Sequence, residues 1–197
     1  MLVVPEPGVL SEMDAQFWAF AEMILGAQGK AELEDACRSA GGRPRGTIYA
    51  GVAPDPRSFC VSLAEGARLR GRSFARRAGH YVGSQIARHF VESTPHPNEE
   101  AHRMMQAVAP SFPQLRFIGS GQPGPHFAVE VRSNEPISPA FAEFATGFIR
   151  GAATRIREGV PAVVESGVSK DERVFTARVE WDKTGGPTTG GRRRPHR

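Results

Sequence analysis

The stretch His102-Arg-Met-Met-Gln-Ala-Val-Ala-Pro-Ser-Phe-Pro-Gln-Leu-Arg-Phe117 changes its hydrophobic period halfway along. Ala101, Met104, Met105 and Val108 recur three and four residues apart, the spacing of one face of a helix. Pro110 and Pro113 then stop that helix, because proline lacks the amide donor and restricts the residue before it. Leu115-Arg-Phe-Ile118 follows at once as a β-type run. A helix therefore runs through a Phe-Pro turn straight into a strand, and this junction divides the chain.

Before the junction the pattern is helical. Met13, Phe17, Phe20, Ala21 and Ile24 form one stripe, with Ser11 placed to cap it and Gly26 and Gly29 near its end. Leu33, Ala36, Cys37 and Ala40 form a second, stopped by Gly41, Gly42 and Pro44. After a Pro/Gly-rich connection containing Ile48 and Tyr49, Phe59, Leu63 and Ala67 outline a third. Phe74, Ala78, Val82, Ile86 and Phe90 predict a fourth, the longest of this half, ended by Pro95 and Pro97. After the junction, His126–Val131 and 162–164 read as strands, as does an alternation from Val174 to Trp181. Phe141, Phe144, Ala145, Phe148, Ile149, Ala152 and Ile156 make the clearest amphipathic helix. The order β-β-α-β-β predicts an α+β lobe: an antiparallel four-stranded sheet with one long helix packed on it. The expected layout is one domain over residues 1–182, with a helical lobe to about 110 and the α+β lobe over 111–182, then a disordered basic tail over 183–197.

Charge narrows the function. The 197 residues carry a net +4, yet Lys183, Arg192, Arg193, Arg194 and Arg197 all lie in the tail, which leaves −1 for the rest. A near-neutral body excludes a basic nucleic-acid-binding core, and a short basic tail alone gives nonspecific, salt-sensitive affinity. No apolar run approaches the length that spans a bilayer, and the N-terminus lacks the marks of a secretory signal, so a cytoplasmic protein that does not engage a membrane is expected. Cys37 and Cys60 are far apart, outside any paired-cysteine motif. There is no Walker loop, dinucleotide fingerprint, G-x-S-x-G or H-E-x-x-H, so no catalytic residue is assigned and a non-enzyme is expected. His96 and His102 flank Glu99 and Glu100, a conceivable metal cluster, although adjacent acids at a helix start read more simply as surface charges complementing the dipole. Arg68, Arg70, Arg72, Arg76 and Arg77 cluster at a helix junction, either as a phosphate or partner surface or as a solvated face. Tyr49 and Phe59 are candidates to line an internal cavity or to join the core.

With these residues in view, the chain resembles the heme-nitric oxide/oxygen-binding (H-NOX) family. The likeness rests on SFPQLR between helix and strand, and on AEMILGAQG, ELEDACRSAGG, SFCVSLAEGA, AGHYVG and the closing ARVEW in matching order. It implies a heme-binding sensor domain (heme b) for a diatomic gas, NO or O2, that regulates a kinase, cyclase or receptor in trans. The family's proximal histidine lies seven residues before the Phe-Pro aromatic, where this chain has Met105; His102 stands one turn earlier. Either His102 or Met105 would ligate iron, since thioethers are legitimate axial ligands. The plainer alternative makes Met105 core packing and His102 a helix-edge residue. The family's Tyr-x-Ser-x-Arg motif for the heme propionates corresponds to Val131-Arg132-Ser133-Asn134-Glu135. Only Ser133 is retained, and Glu135 would meet a propionate with like charge, leaving Arg132 or Arg116 as substitutes. Alternatively Ser133 and Asn134 begin a turn before Pro136. The altered motifs also admit a heme-free reading, a small-ligand or protein-binding module on the same fold.

Overall fold

The structure is a computed structural model describing residues 8–44, 55–90, 97–119, 126–157, 160 and 162–181. Among the described residues five α-helical runs and four strands follow in the order α1 (Val9–Ser39), α2 (Pro56–Arg70), α3 (Arg72–Ala87), α4 (Pro97–Val108), β1 (Leu115–Gly119), β2 (His126–Ser133), α5 (Pro139–Ile156), β3 (Ala162–Val168) and β4 (Val174–Trp181), with a 3-10 turn at Ala109–Ser111 after α4. The sheet is antiparallel throughout, in the order β1-β2-β4-β3. This is the expected α+β architecture. The connection with Ile48 and Tyr49, the residues Pro95 and His96, and the basic tail lie outside the described residues.

Local chemistry explains most boundaries. The two N-terminal stripes form one helical run of 31 residues broken at Gly26, whose φ of 69° and ψ of 179° leave the helix. Only glycine adopts that conformation without penalty. Ser11 does not cap: the helix starts at Val9 behind Gly8, and the amide of Ser11 donates to the Gly8 carbonyl at 2.8 Å. Asp55 caps α2 by accepting from the Arg57 amide, and Ser138 caps α5 by accepting from the Phe141 amide, each followed by a proline in the first turn. Pro97 opens α4 for the same reason. Glu100 is buried and partnered, so the surface-charge reading does not hold for it.

Phe112, the aromatic of the Phe-Pro turn, is fully buried and seats the α4–β1 junction. Its ring meets Phe59 of α2 at 6.2 Å and Phe141 of α5 at 5.8 Å between centroids. Phe59 in turn meets Phe17 at 5.9 Å and Phe144 at 5.3 Å, joining the helical half to α5. Each such ring contributes roughly 1.5–3 kcal/mol through burial. Phe59 is thus core.

The largest helix contact is between α3 and α5. A Cβ on Gly79 would lie 2.0 Å from the carbonyl oxygen of Phe144, and one on Gly83 2.1 Å from that of Phe148. Reciprocally, a Cβ on Gly147 would lie 1.9 Å from the carbonyl of Arg76, and one on Gly151 2.0 Å from that of His80. The two helices run parallel, backbone on backbone, along four glycines. Overpacking of a core typically costs about 1–3 kcal/mol. Gly79→Ala and Gly147→Ala are therefore expected to lose about 3 kcal/mol or more in urea unfolding, whereas Gly167→Ala, with open space around it, shifts stability by under about 0.5 kcal/mol. Equal stabilities for the three variants would refute the crossing as described.

Candidate functional site

The inner face of the sheet carries Leu115, Phe117 and Gly119 of β1, Phe127, Val129 and Val131 of β2, and Phe175, Ala177, Val179 and Trp181 of β4. Between this face, α5 and α4 lies a cavity of about 80 Å³. Its walls include Met13 of α1, Met104 and Met105 of α4, Phe112, Phe148 and Ile149, and every lining side chain is apolar apart from the indole N–H of Trp181. That group is already spent: Trp181 Nε1 donates to the Ala153 carbonyl at 3.1 Å. Met105, Phe117, Ala145 and Ile149 are half-buried and form the side of the cavity nearest the surface.

The sequence-derived site residues scatter around this cavity. Met105 lines it. His102 does not. Its Nε2 sits 3.0 Å from Nε2 of Gln106, while its Nδ1 is buried near Gly119 without a hydrogen-bond partner among the described residues. Arg116 and Arg132 are direct cross-strand partners on the opposite, exposed face of the sheet, where Arg132 pairs with Glu130. Two like charges opposite each other on a sheet gain from opening to water. Ser133 ends β2, and its hydroxyl accepts from the Glu135 amide at 3.1 Å, the geometry of a local turn. Glu135 itself is exposed. The structure brings Met105 to the cavity and none of Arg116, Arg132 or Ser133 with it.

These positions decide how well heme would fit. Ligand pockets of drug size run about 300–1,000 Å³, several times the 80 Å³ present. Propionates need cations or hydroxyl donors, and among the described residues no such side chain reaches the cavity. A free metal ion is a separate matter from heme iron, which needs one axial side chain; for a free ion, no group of three or more His, Cys, Asp or Glu side chains is placed to hold one among the described residues. The residues present do not make a heme cradle.

The other sequence clusters have plain explanations. Arg68 pairs with Glu65 at 2.7 Å, Arg70 with Glu32 at 2.9 Å and Arg76 with Glu143 at 2.6 Å, so these arginines belong to an ion-paired, solvated face. Cys37 and Cys60 are free, and burial pushes both thiols up to about 11. A thiol whose folded pKa is raised keeps its proton longer in the fold, so its contribution to stability is full below pH 9 and is lost as pH rises through 9 to 11. At pH 8 each thiolate is about a hundredfold scarcer than for an ordinary thiol. Because a thiolate of higher pKa is also the stronger nucleophile, Ellman's reagent at pH 8 should label the native protein at least about tenfold more slowly than the unfolded chain; equal rates would contradict this burial.

No protein-family model matches the sequence, and no curated protein matches it. Solved structures are similar. The chain aligns with the Fe(II) unliganded H-NOX protein from K. algicida at a TM-score of 0.62 and 10% identity, covering 88% of this chain and 97% of that one. It aligns with a mutant of T. tengcongensis H-NOX at 0.57 and 13%, covering 87% and 96%. With an oxygen-binding H-NOX domain related to soluble guanylate cyclases, solved as its oxygen complex, the values are 0.54 and 13%, covering 85% and 92%. Among the described residues no helix is long and apolar enough to cross a membrane. The chain is a divergent protein with the H-NOX fold.

Proposed function

We propose that this protein is a ligand-binding module on the H-NOX fold that takes a small apolar molecule, rather than heme, in the cavity between its helical half and its sheet. The observation that supports it is the lining: a chamber between sheet, α4 and α5 whose side chains are apolar apart from the already bonded indole N–H of Trp181. A dry apolar cavity of about 150 Å³ is known to hold benzene. The 80 Å³ here admits a guest of that size once flexible walls give way, and Met104 and Met105 supply the flexibility. The module is a sensor, passing occupancy to a signalling partner in trans.

A second reading has one observation in its favour. Met105 occupies the position of the proximal ligand in the H-NOX pattern and does line the cavity. On that reading the walls open to admit heme, with Met105 as the axial ligand and a diatomic gas as the signal. His102, held by Gln106 on one side and buried on the other, is the weaker candidate there.

Protein expressed with heme supplied and then purified separates the two. The apolar-ligand reading expects no stoichiometric Soret band, together with stabilisation by toluene of about 1.4 kcal/mol at ten times its dissociation constant. Ala145→Leu, which narrows the cavity, is expected to weaken that effect. A stoichiometric Soret band lost in Met105→Leu would install the heme sensor instead. A folded protein that binds neither toluene nor heme sinks both readings.

A further inference from the structure

The apolar lining leaves one question about the ligand: whether any polar contact orients it. The α4–β1 contact holds a group able to make one. Gly119 closes the inner face of β1, opposite Val129. The notch left by its missing side chain holds the end of Met105: a Cβ there would lie 2.7 Å from Met105 Cε and 2.8 Å from its sulfur. The same point is 3.4 Å from His102 Nδ1. That nitrogen is shielded from water and, among the described residues, has no hydrogen-bond partner.

The imidazole cannot satisfy Nδ1 by changing tautomer. If the Gln106 amide donates to Nε2, the proton sits on Nδ1 as a buried donor with no acceptor. With the Gln106 amide turned over, Nε2–H donates and Nδ1 is a buried acceptor with no donor. Either way one buried polar atom is left unmet, a costly arrangement that a partner would relieve. Met105 is at once a wall of the cavity and the occupant of the notch beside Nδ1. Rotation of its unbranched, flexible side chain out of the notch merges the two spaces.

We infer that the pocket selects a small aromatic or aliphatic molecule carrying one hydroxyl, with His102 Nδ1 as the hydrogen-bonding partner of that hydroxyl and Met105 as the plug that yields to it. A hydroxyl suits both tautomers, because it donates to a bare Nδ1 and accepts from Nδ1–H. The inference rests on the apolar-pocket reading and adds to it the polar atom of the ligand and the residues that read it.

Phenol and toluene have nearly the same shape and differ by a hydroxyl for a methyl group. In a pocket with no polar partner phenol binds more weakly, because its hydroxyl is stripped of water for nothing. With Nδ1 as partner, calorimetric titration of the full chain is expected to give phenol at least about tenfold tighter than toluene. His102→Leu should reverse that order while keeping toluene binding. Gly119→Ala, whose new methyl displaces the end of Met105 from the notch, should cut the phenol preference to near unity, a check that does not depend on His102→Leu folding. In the wild-type protein the imidazole nitrogen resonances of His102 should shift with phenol and stay in place with toluene. Toluene binding as tightly as phenol, or a phenol preference that survives both substitutions, overturns the hydroxyl inference and leaves the apolar pocket standing. Failure of both ligands to bind overturns the pocket and the inference together.

Discussion

Everything in this molecule is hung on the place where α3 and α5 meet without side chains between them. Four glycines bring the two backbones into contact, with the carbonyls of Arg76, His80, Phe144 and Phe148 standing where Cβ atoms would otherwise be. A glycine in a helix costs about 1 kcal/mol relative to alanine, so the four together sacrifice about 4 kcal/mol of helix stability. The return is a close parallel crossing whose dispersion and Cα–H···O contacts run over several turns. Because α3 belongs to the helical half and α5 to the sheet half, this contact fixes the halves against each other. It also frees the other side of α5, where Phe141, Phe148, Ile149, Ala152 and Ile156 project over the sheet.

Once α5 is fixed, the polarity of the cavity follows from strand parity. Side chains alternate across a sheet, so Phe117 and Val131 facing inward is the same fact as Arg116 and Arg132 facing outward. A one-residue slip that brought the guanidinium groups to the cavity would also expel the aromatic and β-branched residues that form the core. The cations therefore cannot serve a buried anion without dismantling the inner face. Ser133 shares the inward parity of Val131, but it stands at the end of the strand, and the chain turns there around its hydroxyl.

How much of this is legible in the sequence depends on how local each determinant is. The helix–turn–strand junction is legible because its cues lie within the eighteen residues 101–118: a helical stripe, two prolines and an alternating run. The antiparallel sheet and the packed helix follow from the succession of elements. The α3–α5 crossing is not, although AGHYVG and TGFIRG both space glycines four apart, because such a pair becomes a contact only when a distant segment supplies the complementary pair. Gly26 reads as a helix end, and the first helical segment does end there; that the second resumes directly after it, with Gly29 inside it, has no local signal. At the site, the parity of Val131 already places Arg132 on the far face of a strand, and only an irregularity in β2 could bring it in. The notch at Gly119 has no signal of its own. Its content comes from α4, and only the register of the helix over β1 brings His102 and Met105 there.

The two walls of the cavity differ in stiffness, and this decides how a bound molecule would be felt elsewhere. On one side α5 is held by the glycine crossing and by the Phe59 ring contacts, so displacing it means separating closely packed backbones. On the other side α4 packs through Ala101, Met104, Met105 and Val108, a thinner layer with two unbranched thioethers that change rotamer at little cost. A guest larger than the cavity must therefore do its work on α4. The junction of α4 with β1 is held by Phe112 against Phe59 and Phe141, so α4 yields through its methionines while that junction stays anchored. Closely packed interiors do not deform evenly but shift at their weakest contacts. The thioether side chains of α4 are that contact here.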